Sequence, residues 1–289
     1  MLYVCASPIG NLEDVTLRVL EALRSVHLIA AEDTRRTRKL LARYDIHTPL
    51  TSLFAHNEAQ KTDYVLGLLR EGRDVALVTD AGTPGVSDPG ERLVAAVVAE
   101  GVGLTVLPGP SAPVTALVAS GLAREEGFRF VGYLPRRAKD LRDAWGRWRR
   151  CGGVLVAFEA PQRLRRSLTE LAALAPDLRG AVCRELTKVH EEVARGTLAD
   201  LAARFAAPGG GGGAGAGDEL GPLRGEITLV VDLGVPDETV AGVAAAAQLA
   251  AELLGRGLSR RDAAHALHIC LGMPHRDAEG LVRGTARGV

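Results

Sequence analysis

The chain reads as an α/β protein of two α/β domains with a ligand cleft and a helical extension behind them. Three observations predict this. Short Val- and Leu-rich runs alternate with helix-patterned segments over residues 1–120. Three of those runs end in loops rich in Gly and Pro, namely Ser7–Asn11, Asp80–Pro84 and Pro108–Ser111. A second, less regular alternation fills 121–236, and the tail 237–289 is helical in pattern throughout.

In the first domain the spacing predicts strands near 2–6, 26–31, 75–79 and 104–107. Helices are expected near 14–24, 34–43, 58–71, 89–100 and 111–120. Continuous apolar runs of this length suit parallel strands buried on both faces. The three Gly/Pro loops then lie side by side at the carboxyl edge of one sheet, where open α/β sheets bind ligands. The segment Gly121–Gly127 changes character and reads as a link. Beyond it, strands are expected near 128–133, 153–158, 180–184 and 225–232, with helices near 138–150, 161–174 and 197–206. Their weaker alternation points to a mixed sheet. Residues 208–217 hold seven glycines and two alanines and read as a flexible loop. The "GAGAGD" at 213–218 has neither the strand before it nor the helix after it that a dinucleotide fingerprint requires. In the tail, Ser259 caps a helix and Gly272-Met273-Pro274 turns into another, as in a helix-turn-helix or a plain helical hairpin. His265 and His268 are three apart but have no third ligand nearby, so no metal site is expected there.

Composition narrows the function. The 289 residues are 47% apolar but only 4% aromatic, so aliphatic packing carries the interior. A formal net charge of zero argues against wholesale coating of nucleic acid or an anionic membrane. The charge is unevenly spread, however. Residues 136–166 carry ten Arg and Lys against three acidic residues, together with Trp145 and Trp148, and read either as an RNA-facing surface or as a solvated helix. Arginine outnumbers lysine 31 to 4, consistent with phosphate recognition or with coding bias. The cysteines Cys5, Cys151, Cys183 and Cys270 form no C-x-x-C pair and read as reduced thiols. With no signal peptide and no apolar stretch of about 18 residues, a cytoplasmic protein without membrane or metal is expected.

The common dehydrogenase, P-loop, zincin and hydrolase motifs are missing. What remains is a set of backbone-rich loops and a charged cluster. The run "VHLIA" leads straight into Glu32-Asp33-Thr34-Arg35-Arg36 at the same sheet edge. Asp33 or Thr34 would cap a helix there, but a cap does not account for two carboxylates followed by two arginines. His56-Asn57-Glu58 follows the strand-like "PLTSLF" and is expected to reach the same edge. In the second half, Glu159 and the run Arg184–Lys188 end strands and could face the first domain.

These residues, in the set "ASPIGNLEDVTLRVLEAL", "AEDTRRT", "HNE", "VTDAGTPGVSDPG", "LPGPSA", "GYLPRR", "FEAPQRL", "RELTKVHEE" and "GEITLVV", resemble the tetrapyrrole-methylase family of S-adenosylmethionine enzymes, in its rRNA-methylating branch. The nine motifs are collinear over roughly 2–233. The resemblance implies two α/β domains with S-adenosyl-L-methionine in the cleft between them, and a homodimer. The implied activity is 2′-O-methylation of a cytidine ribose in the decoding region of 16S rRNA, on free rRNA or the small ribosomal subunit. It implies cofactor contacts at Pro8, Ile9 and Gly10, at Asp80, Ala81, Gly82 and Thr83, at Ser111 and Ala112, at Leu134, and along Glu226–Leu229. Gln162 stands where the family often has His, and Ala6-Ser7 replaces a Thr-bearing entry to the first loop.

Methyl transfer from a sulfonium needs alignment and loss of the hydroxyl proton, so a general base is sought among Glu32, Asp33, His56, Glu58 and Lys188. Arg35, Arg36, Asn57, Arg136 and Arg137 are the expected RNA contacts. Two other functions fit the same residues: C-methylation of a tetrapyrrole, and a non-catalytic RNA-binding role in ribosome assembly.

Overall fold

The computed structural model describes residues 1–54, 56–206, 223–235, 238–271 and 273–285. The first sheet has five strands: β1 (Leu2–Cys5), β2 (Leu28–Ala31), β3 (Leu50–Ser52), β4 (Val75–Val78) and β5 (Leu104–Leu107). They run parallel in the order β3-β2-β4-β1-β5. Alternation along each strand supplies both faces with apolar side chains. Cys5, Ile29, Ala76 and Val78 pack with α1 (Leu17–Ser25) and α2 (Thr34–Arg43) through Val19, Leu23, Leu40 and Leu41. Leu2, Val4, Ala30 and Leu77 pack on the other side with α3 (Glu58–Arg70) and α4 (Glu91–Ala99) through Val65, Leu69, Leu93 and Val97. Helix α5 (Ala112–Ser120) follows the third loop.

Two details differ from the sequence expectation. The helix expected over 14–24 is a 3₁₀ turn at Leu12–Asp14 and then α1, because the Thr16 hydroxyl accepts from Val19 N–H and starts the helix there. The helix expected from 89 begins at Glu91, after Gly90 in the left-handed region at φ +117°.

The second sheet has the order β6-β7-β10-β8-β9, built from β6 (Phe128–Tyr133), β7 (Val154–Glu159), β8 (Arg179–Arg184), β9 (Glu192–Thr197) and β10 (Ile227–Asp232). The β10–β8 and β8–β9 ladders are antiparallel. Strand β9, "EVARGT", is an addition to the expected set: two charged residues and a glycine hide its strand character, and pairing with β8 creates it. Helices α7 (Pro161–Leu174) and α8 (Leu198–Arg204) belong to this half; α8 opens with a capping box between Thr197 and Asp200.

The chain forms two compact units. The first comprises Met1–Leu134 with Leu155–Val231, and so nearly all of both sheets. The second comprises Pro135–Val154 with Asp232–Val289, and holds α6 (Ala138–Cys151), α9 (Glu238–Gly255), α10 (Arg260–Leu271) and α11 (His275–Thr285). Inside it, Ala246, Ala250, Ala263, Ala264, Leu267, Ala278 and Val282 pack together. Arg149 in α6 donates to the Leu233 carbonyl. Trp145 is only 5% exposed and Trp148 is half-buried, so neither indole stands free on the basic helix. The glycine tract expected at 208–217, and Gly272 of the expected turn, lie outside the described residues.

The loop after β5 sits tightly on the end of β1. A Cβ added to Gly109 would lie 2.9 Å from the Ala6 Cβ, too close for either chain to stay in place. Gly109→Ala is expected to cost about 1–3 kcal/mol in urea unfolding, by overpacking. Ala6→Gly in the same chain removes the clash and should recover part of that loss, a coupling readable in a double-mutant cycle.

Candidate functional site

The loops after β1 and β4 are tied by a reciprocal backbone bridge. Ser7 N–H donates to the Gly82 carbonyl at 2.8 Å, and Gly82 N–H donates back to the Ser7 carbonyl at 3.0 Å. The buried Ser7 hydroxyl donates to the Thr79 carbonyl at 2.9 Å. Gly82 holds φ +77°, which a side chain would oppose. On the far side of the first loop, a Cβ on Gly10 would lie 2.6 Å from Leu186 O, Thr187 Oγ1 and Lys188 Cγ. The loop therefore meets the turn after β8 backbone to backbone, and Asn11 N–H donates to Thr187 Oγ1 at 3.0 Å.

These loops border a cavity of about 380 Å³. Ile9, the run Asp80–Thr83, Ser111 and Ala112 line one side, with Glu32, Arg36 and Asp88. Tyr133, Phe158–Gln162 and Gly225–Thr228 line the other. A second cavity of about 320 Å³ adjoins it, lined by Ser7–Gly10, Thr37, Lys39 and Lys188, and it shares Ile9, Arg36, Asp80, Ala81 and Glu226 with the first.

Five carboxylates line the larger cavity: Glu32, Asp80, Asp88, Glu226 and Glu159, the last paired with Arg163. Glu32 accepts from Asp80 N–H at 3.1 Å, and Asp80 accepts from Asp33 N–H at 3.1 Å, so the ends of β2 and β4 are cross-braced. Arg36 pairs with Asp80 at 3.3 Å. Burial raises the pKa of Glu32 and of Asp80; the Asp80 N–H and the Arg36 guanidinium respectively pull them back. Asp88 has no such cation. Burial, and after it the charge of Glu32, pushes its pKa up to about 7; the Thr79 hydroxyl opposes the shift, and Asp80 and Glu226 add to it.

The remaining expected residues are distributed as follows. Asp33 caps α2 and forms a two-pronged pair with Arg35, at 3.0 and 2.7 Å, which holds its carboxyl well below the usual range. Glu58 points away from both cavities: its carboxylate accepts from Gly90 N–H at 3.1 Å and Arg92 N–H at 3.0 Å, and so closes the N-terminus of α4. Asn57 braces its own turn, accepting from Phe54 N–H and donating to Ser52. His56 is exposed beside Phe54. The Lys188 ammonium lies 2.8 Å from Glu185 and 3.0 Å from Glu226. Burial lowers its pKa, but these two carboxylates outweigh it and the net shift is upward. Leu134 is buried; its N–H donates to the Phe158 carbonyl and its carbonyl accepts from Arg163. Arg136 and Arg137 belong to the second unit, where Arg137 precedes α6.

Asp88, Tyr133 and Phe158 are the cavity residues that sequence reasoning passed over. Asp88 sits in "SDPG", which reads as a turn and helix start, and the groups that act on it flank β2, β4 and β10.

The raised Asp88 pKa fixes a sign for stability. The folded chain holds this proton more tightly than the unfolded chain, so the carboxyl increasingly opposes folding as pH rises from about 4 to about 7. Asp88→Asn removes that slope. In thermal melts the variant should match the parent near pH 4 and exceed it at pH 8; equal midpoints at both values would show an unshifted carboxyl.

The family model described as Tetrapyrrole (Corrin/Porphyrin) Methylases matches residues 1–202. The chain is 46% identical over 197 residues to the ribosomal RNA small subunit methyltransferase I of Halalkalibacterium halodurans, covering 68% of each. It is 40% identical over 230 residues to the protein of that name from Thermotoga maritima, covering 80% of this chain and 97% of the relative. Among solved structures, the uroporphyrin-III C-methyltransferase of Thermus thermophilus, complexed with S-adenyl homocysteine, superposes with a TM-score of 0.53. That match is 18% identical and covers 80% of this chain and 96% of the other, a likeness of fold. The chain belongs to the tetrapyrrole (corrin/porphyrin) methylase family, in the branch formed by the ribosomal RNA small subunit methyltransferase I proteins.

Proposed function

We propose that the chain uses S-adenosyl-L-methionine to methylate the 2′-hydroxyl of a cytidine ribose in the decoding region of 16S rRNA. The observation that carries this reading is the cavity itself, where residues of the three loops expected to hold the cofactor meet the half-buried carboxyl of Asp88. The names of the relatives supply the substrate class.

The cavity suits such a cofactor. Gly82, without a Cβ, lets backbone come close; Ile9, Val86, Phe158 and Ile227 offer an apolar wall; the carboxylates of Glu32, Asp80 and Glu226 favour a cationic ligand. When bound, the sulfonium supplies an electrophilic methyl group. Everything else falls to the chain. The β1 and β4 loops fix the angle of approach, and alignment of this kind supplies about 7–11 kcal/mol in favourable cases. Asp88 accepts the proton of the 2′-hydroxyl as the oxygen attacks, a step worth typically 10²–10⁴-fold. Its pKa near 7 keeps a large ionised fraction at neutral pH while leaving it basic enough to take the proton. Glu32 borders the same cavity and is the next choice. Asp33, Glu58 and Lys188 are engaged in the capping and ion pairs described above, and Lys188 is held as an ammonium.

Arg36 sits at the junction of the two cavities, placed for a backbone phosphate beside the target nucleotide. A homodimer is part of this reading; the exposed Val106, Val114 and Val118 on β5 and α5 offer it an apolar face, and light scattering tests it. Among the described residues no helix is long and apolar enough to cross a membrane, and no group of three or more His, Cys, Asp or Glu could hold a metal.

The test is methyl transfer from labelled S-adenosylmethionine to unmethylated small subunits and to naked 16S rRNA, mapped by nuclease digestion and mass spectrometry. A 2′-O-methylcytidine in the decoding region is the expected product. Cofactor binding without transfer to either RNA would move the assignment to a tetrapyrrole or another small acceptor. In the same assay Asp88→Asn should lower kcat about 10²–10⁴-fold with cofactor affinity retained. The parent rate should rise with pH through about 7 as Asp88 loses its proton.

A further inference from the structure

Aromatic side chains make up only 4% of this chain, yet two of them, Tyr133 and Phe158, line the larger cavity, with Phe130 packed behind Phe158. Phe158 lies edge-on to Phe130 at 4.9 Å between ring centroids and edge-on to Tyr133 at 5.6 Å. Phe130 and Tyr133 are three apart on β6, where strict alternation would send them to opposite faces. Gly132 resolves this. At φ +66° it breaks the alternation and brings Tyr133 to the same side as Phe130. The Tyr133 ring is not needed to fill the interior: it is 62% exposed, whereas Leu134 beside it is 1% exposed. Tyr133 thus lines the cavity with most of its surface open, held at one side by its inclined contact with Phe158.

The ring also has a defined neighbour. A Cβ on Gly132 would stand 3.3 Å from Ser87 Oγ, so the end of β6 passes beside the residue preceding Asp88. In a nucleotide the 2′-oxygen and the base are carried on adjacent ribose carbons. A ribose whose 2′-hydroxyl reaches Asp88 therefore carries its base within one sugar's breadth of that carboxyl, on the side where Tyr133 stands.

We propose that Tyr133, propped by Phe158 and Phe130 and turned inward by Gly132, is the stacking platform for the base of the target nucleotide, which enters the cleft unpaired and out of its stack. This rests on the rRNA reading above. It names the form of substrate accepted: a single-stranded or extruded pyrimidine nucleotide.

The experiment uses the full chain, a single-stranded RNA carrying one pyrrolocytidine, and S-adenosylhomocysteine. Wild type should bind the RNA and quench the pyrrolocytidine. Tyr133→Leu should lose the quench and bind RNA about 10- to 100-fold more weakly, the range expected for loss of one stacked base. Its S-adenosylhomocysteine affinity should stay within about twofold of wild type, and Tyr133→Phe should behave as wild type, which separates stacking from misfolding. Weaker S-adenosylhomocysteine binding with unchanged RNA binding would assign the ring to the cofactor's adenine and overturn the proposal. Unchanged binding of both would make Tyr133 plain wall and overturn it equally. A wild type that binds S-adenosylhomocysteine but no RNA would sink the rRNA reading itself, and the platform with it.

Discussion

The reciprocal bond between Ser7 and Gly82 joins the loops that leave two adjacent parallel strands, and the order of the cavity follows from it. It fixes where β1 hands over to Ile9 and where β4 hands over to Asp80. Asp80 in turn takes the Asp33 N–H and gives its own N–H to Glu32, which extends the same brace to β2. Three strand ends are thus locked at one edge, β1 to β4 by backbone alone and β4 to β2 by two carboxylates that each accept a backbone N–H. Such bonds lose little when solvent or ligand changes, because few rotamers are frozen in making them. Gly10 and Gly109 belong to the same logic: each marks a place where backbone is pressed so closely on a neighbour that a methyl group has no room.

The electrostatic character of the cavity comes from an imbalance. Five carboxylates face it; Arg36 pairs with Asp80, Arg163 with Glu159, and Lys188 of the adjoining cavity with Glu226. Asp88, with burial and three acidic neighbours against its charge, carries the cost as a raised proton affinity, and Asp33, paired with Arg35, is shifted the other way. Two carboxyls in the segments that follow neighbouring strands β2 and β4 thus acquire opposite tendencies from packing alone. That separation is what acid–base chemistry at neutral pH requires.

Much of this was legible in the residues. The parallel sheet of the first half follows from unbroken apolar runs, and the loops at its carboxyl edge from Gly and Pro after each run. Glu32 and Arg36 line the cavity at the edge that the strand leading directly into them implies. Glu58 was harder to read: its spacing from the strand brought it to the right edge, but its partners, Gly90 N–H and Arg92 N–H, lie in a loop more than thirty residues on. Asp88 was hidden for the same reason, since its shift depends on charges contributed by β2, β4 and β10. Tyr133 was hidden by a single glycine, because period-two reasoning fails wherever one residue adopts a left-handed conformation. Strand β9 was hidden by its charges. In each case the missing information was tertiary.

The second unit is built on a different economy. Among the described residues of its three last helices, the fully buried positions are mainly alanine, namely Ala246, Ala250, Ala263, Ala264 and Ala278 with Leu267 and Val282, and partly buried leucines pack against them. A methyl group releases little water when buried, so each of these residues contributes modestly by area. Small side chains instead let helix backbones approach closely, and dispersion between main chains takes the place of bulk. A packing of this kind has almost no slack. A single extra carbon at Ala263 or Ala278 must push whole helices apart, whereas the polar residues on their outer faces are free to drift. Over evolutionary time such a unit should hold its inner residues small while its surface chemistry is rewritten around them.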